Sequence, residues 1–81
     1  MDTAAIKDII NKKIYEALQD KIEYEDITPN KKLIEDFNAD SLEIVEIVVA
    51  IMEEFDVTIE MTEDVTILTV EDIYNYILER I

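Results

Sequence analysis

The 81-residue sequence contains no cysteine, no histidine and no glycine, and it has a single proline. The absence of cysteine excludes disulfides and thiolate zinc sites, and the absence of histidine removes the side chain that most often performs acid–base catalysis. Glycine-rich phosphate loops are excluded as well. Carboxylates and tyrosines remain for protein-borne chemistry, so we expect a protein that is not an enzyme. Any thiol chemistry would need a cofactor.

Positive charge is missing from more than half of the chain. Residues 33–79 contain fourteen Asp or Glu residues and no Lys or Arg, whereas residues 1–32 contain seven acids and six lysines. The net charge of −14 repels nucleic acid and anionic membranes, so neither is an expected partner. One interpretation is a solvated surface that keeps the protein soluble. The alternative is a surface recognised by basic proteins, because solubility does not require so much self-repulsion.

Long apolar segments are also missing. The longest apolar run, residues 47–52, is far shorter than the roughly 20 residues that span a bilayer, and no basic leader precedes an apolar segment. Apolar residues nevertheless make up 49% of the chain, which is enough for a small core. We therefore expect residues 1–81 to form one cytoplasmic, monomeric domain.

Apolar residues at helical spacing predict a helical protein. The first helix should cover Thr3–Leu18, with Asp2 or Thr3 as its cap. A connection of roughly twenty residues follows, and its scattered apolar residues should pin it across the helices, with one helical turn after Asn30. A short irregular or 3₁₀ turn is expected at residues 62–66. The last helix should begin after its cap, Thr69. One face of this helix should be apolar and buried, and it comprises Val70, Ile73, Tyr74, Ile77, Leu78 and Ile81.

The second predicted helix, Ser41–Phe55, carries its charge on one side. Asp40 at the N-cap and Glu43 three residues later form an acidic capping box, and both carboxylates suit the positive end of the helix dipole. On a helical projection one face carries the acids Glu43, Glu46, Glu53 and Glu54. Apolar residues fill an arc of roughly 200°, about twice the width that a surface helix needs to face a core.

This apolar arc has two parts. The core candidates are Ile44, Val48, Ile51 and Phe55. Leu42, Val45 and Val49 lie directly beside the acids. They either pack under the long loop or the last helix, or they form an exposed docking strip. In the second case the acids would steer basic partners and the strip would provide contact energy.

Ser41 lies in the first turn of this helix. A serine there is usually a cap or a solvent-facing residue. Asp40 already occupies the better cap position, however, and a phosphate on the Ser41 hydroxyl would lie near free backbone N–H groups and the positive dipole end.

The segment that starts at Asp36 resembles the first half of an EF-hand calcium loop, but the second half does not fit, because Ser41 stands where glycine is needed and Ile47 where a bidentate glutamate is needed. We expect no specific metal site, only weak divalent binding by the carboxylates.

Residues 37–46, Phe-Asn-Ala-Asp-Ser-Leu-Glu-Ile-Val-Glu, resemble the modification site of acyl carrier proteins. The resemblance extends over most of the chain and is densest over residues 37–77. It implies an all-α fold, a small four-helix bundle with a long loop after helix one and a short third helix. It also implies that Ser41, between Asp40 and Leu42, carries 4′-phosphopantetheine. The thiol of that arm would hold an acyl group as a thioester, and the acyl chain would slip between the helices.

The resemblance also implies the partners. These are a phosphopantetheinyl transferase that uses coenzyme A, and acyl-transfer or synthase enzymes of fatty acid or polyketide-type synthesis with basic docking surfaces. The partner-binding face would comprise Leu42, Glu43, Val45, Glu46, Val49, Glu53 and Glu54. Two alternatives stay open: a peptidyl or D-alanyl carrier, and an acidic helical interaction module without a cofactor.

The chain departs from the usual pattern of the family in three places. Asn38 stands where the family usually has glycine, and we expect it to keep the turn because asparagine tolerates the left-handed conformation. Glu60 stands where a proline is common, and Met61 and Thr62 differ from the usual acidic opening of the third helix, so the bounds of that helix do not follow from the resemblance. The connection after helix one is longer than usual.

Overall fold

The computed structural model describes residues 2–60 and 64–81. Over these residues the chain is helical, with α1 at Thr3–Leu18, α2 at Ser41–Phe55, α3 at Val70–Leu78, and short 3₁₀ helices at Tyr24–Asp26 and Val65–Ile67. The bounds predicted for the first two helices are confirmed. The 3₁₀ helix after α1 was not predicted. The short third helix implied by the resemblance falls partly on residues 61–63, which lie outside the described residues.

Each α-helix begins at a side chain that caps it. Asp2 accepts a hydrogen bond from the backbone N–H of Ala5, and Asp40 and Thr69 each form a reciprocal capping box with the residue three positions later. These bonds satisfy N–H groups that have no acceptor within the helix. The predicted caps of α2 and α3 are confirmed, and Asp2 is the cap of α1.

The core lies where α1 packs against both α2 and α3. Of the core residues predicted on α2, Ile44, Val48 and Ile51 are buried, whereas Phe55 is only partly buried. Ile47, at the edge of the predicted arc, is completely buried. The buried residues of α2 therefore span about 100° of the helix, which is the width that a surface helix needs to face a core.

The apolar face predicted for α3 extends one turn beyond the end of the helix. Val70, Ile73, Tyr74 and Ile77 are buried and Leu78 packs against the core. Ile81, which was predicted on the same face, is 55% exposed because the helix ends at Leu78.

The long connection is fixed to the start of α3. The backbone N–H groups of Leu33, Val70 and Glu71 donate to the carbonyl oxygens of Leu68, Lys31 and Pro29, at 3.0, 3.0 and 2.9 Å. We call this set of contacts, between residues 29–33 and 68–71, the loop–α3 clip. Leu33, Phe37 and Ala39 are buried, so the connection belongs to the core as predicted. The turn expected after Asn30 lies at residues 33–37.

Two turns reverse the chain without glycine. Asn38 and Asp56 both adopt positive φ, at 58° and 54°. Asp56 ends α2, and its N–H donates to the carbonyl of Met52.

In the part of the chain that the structure describes, no helix is long and apolar enough to cross a membrane.

Candidate functional site

Ser41 is the first residue of α2, and its side chain is exposed. It is also the only serine of the chain. The capping box engages the N–H groups of Asp40 and Glu43, at 3.0 and 2.8 Å. The N–H groups of Ser41 and Leu42 have no acceptor within the helix and lie at its positive end. These donors and the exposed hydroxyl fit a phosphodiester attached at Ser41.

The turn before α2 depends on Asn38. Its φ of 58° lies in the left-handed region, so the conformation predicted for this position is confirmed. The N–H groups of Asn38 and Ala39 donate to the carbonyls of Ile34 and Leu33, both at 3.0 Å. Phe37 and Ala39, on either side of Asn38, are buried. The turn is thus held on both sides of the left-handed residue, and it sets where α2 begins.

Asn38→Ala is expected to lower the free energy of unfolding by about 1 kcal/mol, because a β-carbon without a polar group disfavours positive φ. Asn38→Gly removes that steric conflict and should lose less, since glycine only adds freedom to the unfolded chain. Urea unfolding followed by circular dichroism measures both. A larger loss in the glycine variant would show that the asparagine side chain, and not its φ, supports the turn.

The apolar strip beside the acids is exposed. The fractional exposures of Leu42, Val45 and Val49 are 67%, 55% and 40%, so these side chains do not pack under the loop or the last helix. Glu46, Glu53 and Glu54 are exposed along the same helix. An exposed apolar strip bordered by carboxylates combines a contact surface with a charge that attracts basic surfaces.

Glu43 differs from the other acids of α2. Its Oε1 accepts from the Asp40 N–H at 3.0 Å and from the ammonium of Lys21 at 2.6 Å. The side chain is only 17% exposed. Hydrogen bonding to Glu43 raises the pKa of Lys21 above its usual value, so the ammonium stays charged. The sequence assigned Glu43 both to the capping box and to the docking acids. The capping box is confirmed, and the docking role stays a prediction.

Lys21 is the residue of this site that sequence reasoning missed. It follows α1 by three positions, in a charge-balanced part of the chain where no spacing pattern singles it out. Lys21 reaches Asn38 and Glu43 only because α1 packs against α2, and the sequence does not reveal that tertiary contact. Lys13, which lies within α1, pairs with Glu54 at 3.3 Å near the other end of α2.

Two recesses lie against α2, one lined almost wholly by apolar side chains and one by both apolar and acidic side chains. A groove of about 290 Å³ is lined by Ser41, Ile44, Val45, Val48, Val49, Met52 and Val65. A cleft of about 180 Å³ lies between α2 and α3, and Val48 borders both recesses. An apolar chain that starts near Ser41 therefore meets apolar side chains at once, and the transfer of such a chain from water is favourable.

The EF-hand-like segment forms no calcium loop. Its second half, from Ser41 onwards, is helical, so its side chains cannot wrap around an ion. Among residues 2–60 and 64–81, no group of three His, Cys, Asp or Glu side chains is arranged to hold a metal ion.

Comparison with known proteins identifies the family. Residues 12–77 match the family described as the phosphopantetheine attachment site. An acyl carrier protein of Syntrophobacter fumaroxidans is 39% identical, over 99% of this chain and 96% of its own length. An acyl carrier protein of Campylobacter lari is 38% identical over 90% and 92% of the two chains. A third, from Campylobacter curvus, is 41% identical over 69% of this chain and 73% of its own length. These matches assign to this protein a covalently attached 4′-phosphopantetheine, and the chain belongs to the acyl carrier protein family.

Proposed function

We propose that Ser41 is the attachment point of the 4′-phosphopantetheine, and that the protein presents acyl groups, held as thioesters, to enzymes of fatty acid or polyketide-type synthesis. One observation carries this proposal. The only serine of the chain has an exposed side chain at the first residue of α2, beside N–H groups without an intrahelical acceptor. The arm would supply the thiol that a chain without cysteine lacks.

The residues around Ser41 have separate roles in this proposal. Asp40 and Glu43 fix the first turn of α2 through their capping box, and the N–H groups of that turn would bind the phosphate oxygens. The apolar groove beside Ser41 would shield an acyl chain from water. No residue of the chain is assigned a catalytic step, so the protein acts as a carrier and its partner enzymes perform the chemistry.

The docking face consists of Leu42, Val45, Val49, Glu46, Glu53 and Glu54. The carboxylates would attract basic surfaces on the phosphopantetheinyl transferase and on acyl-transfer or synthase enzymes, which raises association rates. The three exposed apolar side chains would provide the contact energy. We place this exchange in the cytoplasm, and we propose that the family's four-helix bundle with a short third helix is complete in this monomeric protein.

Incubation with coenzyme A and a phosphopantetheinyl transferase of broad tolerance tests the proposed function. Intact mass spectrometry should show the gain of one phosphopantetheine. No gain with several such transferases would contradict the proposal and favour an acidic interaction module without a cofactor.

Glu46→Lys is expected to weaken the encounter with the transferase. The variant reverses one charge at the centre of the docking face, so KM should rise on the order of tenfold at low salt while kcat stays within about twofold. Because screening shortens the reach of exposed charges, the difference should shrink as ionic strength increases. Steady-state kinetics at two salt concentrations measures the effect.

Glu25→Lys is the matched control for Glu46→Lys. It makes the same charge change at an exposed residue of the first 3₁₀ helix, away from α2. Its KM should stay near that of the original protein. An equal rise in KM for both variants would mean that partners respond to total charge and not to the face of α2.

A further inference from the structure

Lys21 connects the end of α1 to both sides of the modification site. Its ammonium donates to the backbone carbonyl of Asn38 at 2.9 Å and to Glu43 Oε1 at 2.6 Å. The side chain is 29% exposed and that of Glu43 is 17% exposed, so water competes less for these bonds than it would at an open surface. Both bonds involve a charged donor, and such bonds are stronger than neutral ones.

The two acceptors lie on either side of Ser41 in the sequence. Asn38 has the left-handed conformation and begins the turn that leads into α2. Glu43 holds the N-cap through the Asp40 N–H. One ammonium therefore fixes the carbonyl of the left-handed residue before the helix and the side chain that completes the capping box. The segment between these two points contains Ser41.

Lys13 provides the natural comparison. It also extends from α1 to an acid of α2, with a side chain that is 26% exposed, but its partner is Glu54 near the far end of the helix. Among the described hydrogen bonds, Lys13 donates to no backbone carbonyl, whereas Lys21 donates to the carbonyl of Asn38. Removal of either lysine changes the net charge equally. Only one of them bonds to the segment that carries Ser41.

We propose that Lys21 is a positioning residue for the modification of Ser41, and that Glu43 serves this support and not the charge that partners recognise. The inference rests on the proposed function of Ser41. The Lys21 ammonium holds the Asn38 carbonyl and the Glu43 carboxylate, so the backbone that carries Ser41 is held in one conformation. Without it, Glu43 is free to turn toward solvent and the turn before α2 gains alternative conformations.

The kinetic test compares Lys21→Met, Lys21→Arg and Lys13→Met as substrates of a phosphopantetheinyl transferase with coenzyme A. Methionine keeps most of the apolar stem and removes the charge. Lys21→Met should lower kcat on the order of tenfold without raising KM, because the hydroxyl is misplaced while every residue of the docking face is kept. Lys13→Met should leave kcat unchanged, and Lys21→Arg should recover part of the loss.

Amide hydrogen exchange in the unmodified protein provides a measurement that does not depend on the transferase. The N–H of Asp40 should exchange faster in Lys21→Met than in Lys13→Met, because its acceptor, Glu43 Oε1, is no longer held by the ammonium. The N–H groups of Ala39 and Glu43 should follow, because they belong to the turn and the capping box on either side of that bond. Amides in the middle of α1 should exchange at the same rate in both variants. That pattern separates local loosening from a general loss of stability.

The outcomes distinguish this inference from the proposed function. If the original protein is modified and the two methionine variants have equal kcat values, or if only amide exchange changes, the positioning role of Lys21 is overturned while Ser41 remains the attachment point. If Lys21→Arg recovers none of the kcat, a charged hydrogen bond from residue 21 does not position Ser41, and the proposed role of the ammonium is overturned. If the original protein is not modified at all, the proposed function fails and the inference fails with it.

Discussion

Ser41→Ala is expected to abolish phosphopantetheine attachment completely. The substitution removes the hydroxyl oxygen that would form the phosphodiester, and the chain has no other serine to replace it. The fold should be unaffected, because Ser41 is exposed and the capping box is formed by Asp40 and Glu43. Intact mass after incubation with coenzyme A and a transferase measures the loss, and far-ultraviolet circular dichroism checks the helices.

Thr3→Ala is the matched control for the serine variant. Thr3 is the first residue of α1, it is exposed, and it follows a capping aspartate just as Ser41 does. It therefore offers a hydroxyl at a helix start without the apolar strip and acidic face of α2. Full modification of Thr3→Ala together with none of Ser41→Ala would locate the arm on α2. Modification that persists in Ser41→Ala would show that another hydroxyl accepts the arm.

Leu33→Ala is expected to produce the largest loss of stability. Leu33 is completely buried in the long connection, and its backbone belongs to the loop–α3 clip. Truncation of a buried leucine costs about 2–5 kcal/mol, including the cavity that it leaves. The total stability of a domain of this length is about 4–12 kcal/mol. The melting temperature should fall by about 10–30 °C, as measured by thermal unfolding followed by circular dichroism.

Leu42→Ala makes the same chemical change where the side chain is 67% exposed. Its effect on the free energy of unfolding should stay within about 0.5 kcal/mol, as is usual for surface positions. A small loss for Leu33→Ala would mean that the connection collapses around the missing side chain. The long loop would then be a cover over the core and not a part of it.

Features that depend on neighbours in the sequence could be predicted well. The bounds of α1 and α2 follow from apolar spacing, and the caps at Asp40 and Thr69 follow from side chains that reach backbone groups three residues away. Asn38 was identified as a position that needs a left-handed residue, and its φ confirms this. The attachment at Ser41 came from a local signature, and it stays a prediction until modification is measured.

Features that depend on how distant elements meet could not be predicted. Ile47 lies at the edge of an apolar arc, and only the arrangement of the neighbouring elements decides that it is buried. Whether Leu42, Val45 and Val49 were covered was equally undecided, because apolar spacing does not say which side of a wide arc has a neighbour. Lys21 had no pattern at all, since its two acceptors lie 17 and 22 positions away.

The loop–α3 clip also sets the order in which the molecule can assemble. It joins residues 35–42 positions apart, so its bonds form only after a loop-closure entropy that grows with the logarithm of that separation has been overcome. The caps of α1 and α2 are local and face no such barrier. The turn that leads into Ser41 is bonded to Leu33, which is itself held by the clip. We therefore expect the serine to reach its final surroundings only after α3 has docked, so that a transferase recognises the folded protein better than a chain without the docked α3.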